Sequence, residues 1–184
     1  MVKIKKVILL FVIMLFAAGC TNSGDYSEVE GELQTIFGED LSIMEPEGYT
    51  LIDAHVRYDS QGDLVDEARL IYSDIQQVGD LAASKEEIES KEERDQLEYI
   101  YGPYEGEEKI RVEVSYFDEV TAPYLDPNQS FEVISVGEHD AYINQSSDRV
   151  QIYIPVDDWL YEGVSSEANV SEDELLTYME MVVN

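Results

Sequence analysis

Apolar and polar positions alternate with changing rhythm along the chain, and each rhythm predicts an element. Val7 to Ala18 is an uninterrupted apolar run of twelve residues. A spanning helix needs about 20 residues to cross ~30 Å of hydrocarbon, so this run is too short for one. Ser27 and Glu30 have capping-box spacing and predict a helix to about Phe37, with Val29, Leu33, Ile36 and Phe37 on one side. Beyond a turn at Glu45-Pro46-Glu47-Gly48 the period drops to two: Ile52, Ala54, Val56 and Tyr58, then Ala68, Leu70 and Tyr72, predict a hairpin closed at Ser60-Gln61-Gly62-Asp63. The cleanest alternation is Ile110, Val112, Val114 and Tyr116. Further strands are predicted at Leu97 to Tyr101, Phe131 to Val136, Ala141 to Asn144, Val150 to Ile154 and Trp159 to Tyr161. Ser171 and Glu174 open a last helix whose Leu175, Leu176, Met179, Val182 and Val183 share a face.

One segment breaks the pattern. Residues 79–96 are densely charged, with Ile88 and Leu97 as their apolar anchors, and read as an exposed helical excursion or loop. The fold class that follows is α+β: one curved antiparallel sheet of meandering hairpins, with helices packed on one face and a helix at the C-terminus.

The N-terminal run acquires meaning from its flanks. Lys3, Lys5 and Lys6 precede it, and Ala17, Ala18 and Gly19 lead into Cys20. A basic start, a short apolar stretch and small residues form an export signal. The Ala-Ala-Gly-Cys segment resembles the lipobox of bacterial lipoproteins, with Ala17 where that family prefers Leu. The resemblance implies cleavage between Gly19 and Cys20 and acylation of Cys20, which would tether the protein to the outer face of the cell membrane. Cys20 is the only cysteine, so no intramolecular disulfide can form. Residues 1–19 are thus expected as signal peptide, 20–26 as a polar tether, and 27–184 as a single domain.

Charge changes the picture of partners. The 165 residues after the signal hold 8 basic residues (11 less Lys3, Lys5 and Lys6) against all 41 acidic ones. Such a surface excludes nucleic acid, whose phosphates require Lys and Arg. It also repels anionic lipid headgroups, which leaves membrane attachment to the anchor. A 44% hydrophobic content with 13 tyrosines is too rich in core formers for a disordered acidic tail.

The order of short motifs also resembles a domain of unknown function found in Firmicutes lipoproteins and in membrane-tethered, sigma-factor-associated proteins. The stretches that carry it are Pro46-Glu47-Gly48-Tyr49, Arg69-Leu70-Ile71-Tyr72, Gly137 to Tyr142, Trp159-Leu160-Tyr161 and Ser171 to Leu176. It covers about residues 37–184. The resemblance implies a sheet similar to the half-barrels of bacterial lipoprotein carriers, and no catalytic residues. Segment 79–96 is longer than that family's connection.

Candidate chemistry is sparse. No nucleophile elbow, Walker loop, dinucleotide fingerprint or zinc spacing occurs, and no cofactor is implied. His55 and His139 are the only histidines. His55 is expected on a strand opposite the apolar set and His139 in a turn, both as surface residues rather than metal ligands. Asp59 to Asp63 lacks the sixth-place Gly of a calcium loop, and Leu70 stands where its closing Glu belongs, so it reads as a turn. Asp157 and Asp158 read as loop acids. Asn128, Asn144 and Asn169 begin Asn-x-Ser sequences, a modification not usual in a bacterial lipoprotein. Most of the tyrosines fall at strand positions, and core and rim packing is expected of them. These observations predict a non-enzymatic extracytoplasmic binding domain for a protein or envelope component. The alternative is a carrier holding a lipid or other apolar ligand between sheet and helices, which would need a cavity of ~300–1,000 Å³.

Overall fold

Period-two segments become strands wherever one face finds a core, and the computed structural model contains eight of them. It describes residues 26–38, 41, 43–59, 61–62, 64–117, 122, 130–165 and 170–183. Their elements run α1 (Tyr26–Phe37), β1 (Thr50–Tyr58), β2 (Val65–Ser73), α2 (Lys85–Asp95), β3 (Leu97–Tyr101) and β4 (Ile110–Tyr116). They continue with β5 (Glu132–Val136), β6 (His139–Gln145), β7 (Val150–Val156), β8 (Trp159–Ser165) and α3 (Glu172–Val183). The fold is α+β, and the strands form one open antiparallel sheet in the order β3-β1-β2-β4-β8-β7-β6-β5. Two halves are visible in that order. Strands β1 to β4 form one quartet, β5 to β8 a simple meander, and the β4–β8 ladder joins them.

The inner face carries the core. Ala54, Val56, Ala68, Leu70, Tyr72, Val112, Val114, Ile152 and Ile154 are buried there, beneath Val29 and Leu33 of α1 and Leu175, Met179 and Val182 of α3. Each such large side chain contributes on the order of 1.5–3 kcal/mol through removal from water. Helix α3 packs on β7 and β8. Its approach depends on Gly163: a Cβ there would lie 2.6 Å from Met179 Sδ. The tight turn after β3 depends on Gly102 in the same way, since it has φ +77 and a Cβ would lie 2.3 Å from the Ile52 carbonyl oxygen.

Several boundaries differ from the sequence expectation, each for a physical reason. The first helix begins at Tyr26 rather than after it, so Ser27 lies inside the helix instead of capping it. Tyr26 is drawn in because its hydroxyl meets that of Tyr72 at 2.8 Å, and the Tyr178 hydroxyl donates to Tyr72 at 3.0 Å. Tyr178 is therefore a core residue of α3 that the aliphatic pattern did not pick out. Residues 85–95 do form a helix, capped by Ser84 and Glu87 and without a buried residue. The aromatic partner of Trp159 in the helix layer is Phe37 of α1, with ring centroids 5.1 Å apart; α3 meets β8 at Gly163. His139 is the first residue of β6, because only Gly137 and Glu138 are needed to turn the chain.

The two sheet edges are finished differently. At β3, the Tyr99 backbone N–H donates to the Glu92 carboxylate of α2 at 3.1 Å, so a side chain occupies a donor that would otherwise face outward. At β5, Val133 is exposed.

Candidate functional site

The clearest surface feature is a cleft at the end of the β4–β8 ladder. Tyr116 and Trp159 are the last register pair of that ladder. Their rings lie 4.7 Å apart at 53°, and Phe37 meets Trp159 from the other element at 69°. Antiparallel partners at a strand end bring large side chains together across the sheet, and the Phe117 N–H donating to the Asp158 carbonyl at 2.8 Å ties the two strands there. The end of α1 adds Ile36, the β1–β2 turn adds Leu64, and the first residue of β2 adds Val65. Together they bound about 590 Å³, with Asp59 and Asp66 as the charged residues of the lining among the described residues.

Apolar exposure distinguishes this cleft. Ile36 is 39% exposed, Leu64 69% and Tyr116 65%, and all three lie in one place. Scattered single apolar residues on a surface are ordinary, whereas a contiguous group marks an interaction site.

The outer face of the sheet, away from α1 and α3, carries a different arrangement. A single cross-strand row runs Val133, Tyr142, Tyr153, Glu162, Glu113, Arg69, His55, Tyr99, one residue from each of the eight strands. Arg69 Nη2 lies 2.8 Å from both Glu67 and Glu113, and Arg111 Nε lies 2.9 Å from Glu113. Gln151 donates to Glu162 at 3.1 Å and to the Tyr153 hydroxyl at 3.0 Å. Burial raises the Glu113 carboxyl above its usual range, with Arg69 and Arg111 opposing the rise and Glu67 and Glu162 adding to it. Burial, then the charge of Glu162, likewise raises the Tyr153 phenol.

His55 belongs to this row, which corrects the expectation of a surface histidine. It is 4% exposed, and Asp53, 7% exposed, lies 2.6 Å from its Nδ1. The cause is position: β1 is paired on both sides, and Tyr99 from β3 packs edge-on against the imidazole at 5.4 Å. Alternation on such a strand no longer separates inside from outside. The pair is a satisfied buried polar contact. Its geometry orients an imidazole, but Asp53 is the partner it meets, and no nucleophilic hydroxyl joins it among the described residues.

A second hollow of about 660 Å³ lies between the Pro46 turn and α3, where Glu45, Glu47, Asp173 and Glu174 surround Tyr49, Ile110 and Met181. Glu174 is already engaged as a cap: the Ser171 N–H and hydroxyl donate to it at 2.9 and 2.7 Å, which lowers its carboxyl from the usual range. Among the described residues no group of three or more His, Cys, Asp or Glu side chains is placed to hold a metal ion.

The remaining singled-out residues fall as follows. Asp157 and Asp158 form the exposed β7–β8 turn. Asp59 is a turn residue whose carboxylate accepts the Gln61 N–H at 3.1 Å, and Leu70, at the calcium loop's closing place, is a core residue. Asn144 lies on β6. Gly19, Cys20, Asn128 and Asn169 lie outside the described residues, and no described helix is long and apolar enough to cross a membrane. No family model, curated protein or solved structure matches the chain.

Proposed function

We propose that this chain is an extracytoplasmic lipoprotein, anchored to the outer face of the cell membrane through Cys20, whose folded domain is a non-enzymatic binding module. The observation that carries the binding reading is the cleft at Trp159, where exposed Leu64, Ile36 and Tyr116 converge. The address rests on the basic, apolar and small-residue order of residues 3–20. The resemblance to a lipoprotein domain of unknown function belongs to the same reading. The carrier alternative is weakened by the tight layer under α3, where Met179 leaves no room for even one extra carbon at residue 163.

Two measurements test this. Replacing Cys20 with Ser should yield an unprocessed or released protein; a variant cut and retained like the parent would refute the anchor. A photo-crosslinking residue at Leu64, in cells producing the full chain, should capture a defined partner that the same residue at Glu86 on α2 does not. Equal capture at both positions would remove the cleft from the reading.

A further inference from the structure

We infer that the edge of the sheet at β5 accepts an extended segment of a partner polypeptide, which adds to it as a further strand through main-chain hydrogen bonds. The inference goes beyond the Trp159 cleft and stands on other residues, at the end of the strand order rather than at the β4–β8 ladder. Two independent observations carry it, the backbone groups that β5 presents and the way the opposite edge is closed.

The β5–β6 hairpin fixes which groups face outward. Gly137 and Glu138 form a two-residue turn, so the flanking pair Val136↔His139 is hydrogen-bonded. Antiparallel pairs alternate, which makes Ile134↔Ala141 and Glu132↔Ile143 hydrogen-bonded as well. Val133 and Ser135 therefore turn their N–H and C=O groups away from β6, and no described residue meets them. Both residues are exposed. Donor and acceptor repeat there at the spacing of alternate strand residues, about 6.8 Å, and an extended backbone offers the matching set. The side chains agree with this occupant. Val133 stands beside Tyr142 on the outer face and half-buried Ile134 lies on the inner one, so an added strand finds apolar neighbours on both.

The opposite edge shows what closure looks like in this molecule. On β3 the Glu92 carboxylate takes the Tyr99 N–H, and past the strand the Ala82 N–H donates to the Pro103 carbonyl at 3.0 Å. At β5 no such cover occurs among the described residues. Its register with β6 runs from Glu132 to Val136 without a bulge, and it holds neither Lys nor Pro, the features that keep strand edges from pairing.

The occupant is a different chain rather than a second copy. Each copy carries a net charge of −30. An edge of five residues spans only about 17 Å, too little to hold together two folded domains that repel, since a stable contact takes ~800 Å² from each. An extended segment rich in β-branched residues and free of acids meets neither obstacle.

The test uses the full chain in detergent micelles and a fluorescein-labelled heptapeptide of Thr and Val with Lys at each end, read by anisotropy. Alternate residues of the peptide are N-methylated, so that it keeps one bonding edge and cannot stack on itself. It should bind saturably, and the same peptide N-methylated throughout, with the same side chains and charge, should not. Ser135→Pro removes an outward N–H but none that pairs with β6. It should therefore leave the melting temperature close to the parent's and weaken binding by about tenfold or more. Hydrogen exchange needs no variant: the peptide should slow the amides of Val133 and Ser135 at least about tenfold and leave that of Tyr99 on the other edge unchanged. Equal binding of the two peptides would be adsorption by side chains or charge and would overturn the inference. So would the absence of saturable binding up to millimolar peptide, slowing at Tyr99 in place of Val133 and Ser135, or binding indifferent to Ser135→Pro in a folded variant. Self-association of the parent that rises with concentration and is lost in Ser135→Pro would make the occupant a second copy, which overturns the inference as well. None of these outcomes touches Leu64 or Trp159, so the cleft reading stands or falls separately.

Discussion

The two faces of the sheet solve the same problem by opposite means. The inner face is closed by dispersion and area: Leu175 and Met179 of α3 press on a β8 surface thinned by Gly163, and the hydroxyls of Tyr26, Tyr72 and Tyr178 within it are bonded to one another. The outer face is half-closed by charge, through Arg69 laid across Glu67 and Glu113 and Arg111 beside Glu113. The first arrangement is insensitive to salt and pH near neutrality; the second is sensitive to both. A strongly acidic chain has few cations to spend, and three of its arginines, Arg57, Arg69 and Arg111, lie on that outer face.

The comparison breaks most visibly on the inner side. Met179→Ala should cost about 2–5 kcal/mol in urea unfolding, the range for emptying a core site. Gly163→Ala should be destabilising alone and nearly free in the Met179→Ala background, because the clash is with Met179 itself. Additive costs would mean that α3 does not sit as described.

Next in size is Tyr72→Phe, which leaves the hydroxyls of Tyr26 and Tyr178 short of a partner and should cost about 1–3 kcal/mol at neutral pH. Its pH dependence is a sharper check. Burial raises the phenols of Tyr72 and Tyr178 well above 10.0, and that of Tyr26 as well. Folded, they keep protons that the unfolded chain gives up above pH 10, so stability is full below that pH and falls above it. The variant has one fewer such group, so its deficit should narrow as pH rises past 10. A deficit constant to pH 11 would argue against the triad.

On the outer face, Arg69→Met should cost roughly 1 kcal/mol, since its partners are partly solvated. The loss should shrink in high salt. It should also shrink as pH falls, because without Arg69 the already raised Glu113 carboxyl takes up a proton more readily. Ser171→Ala should cost about 0.5–2 kcal/mol as a lost cap. Glu174 is held below its usual 4.5, so that contribution persists at neutral pH and fades only as the carboxylate is protonated below that value. The smallest effect expected is from salt on the whole: sodium chloride should raise the melting temperature gradually by screening over ~10 Å at 0.1 M. Calcium should add no saturable step at micromolar concentration, and such a step would reveal a site that the geometry above lacks.

Legibility in the sequence followed the range of the interaction. Ile110 to Tyr116 was readable to the residue because alternation is local, and Ser171 with Glu174 announced α3 because a capping box is local too. The burial of His55 was hidden, since it depends on β3 and β2 flanking β1. The outer row needed seven strand pairings at once. The cleft joins Ile36, Leu64, Tyr116 and Trp159, and nothing in their spacing predicts that β4 lies beside β8.

That last pairing bears on how the chain reaches this arrangement. Strands β5 to β8 are successive hairpins and close only short loops, whereas the ladder from Ile110↔Ser165 to Tyr116↔Trp159 joins residues at least 43 positions apart (159 − 116). Loop closure is an entropic cost met before any contact rewards it. The meander is therefore expected to assemble early, and the seam between β4 and β8 to form late and open first. Amide exchange should be faster along Arg111 to Ser115 than along Ile152 to Ile154. Tyr116 and Trp159 stand at the end of that seam, so whatever fills the space between them would act as a clasp, and its binding energy would appear as slower opening of the whole sheet.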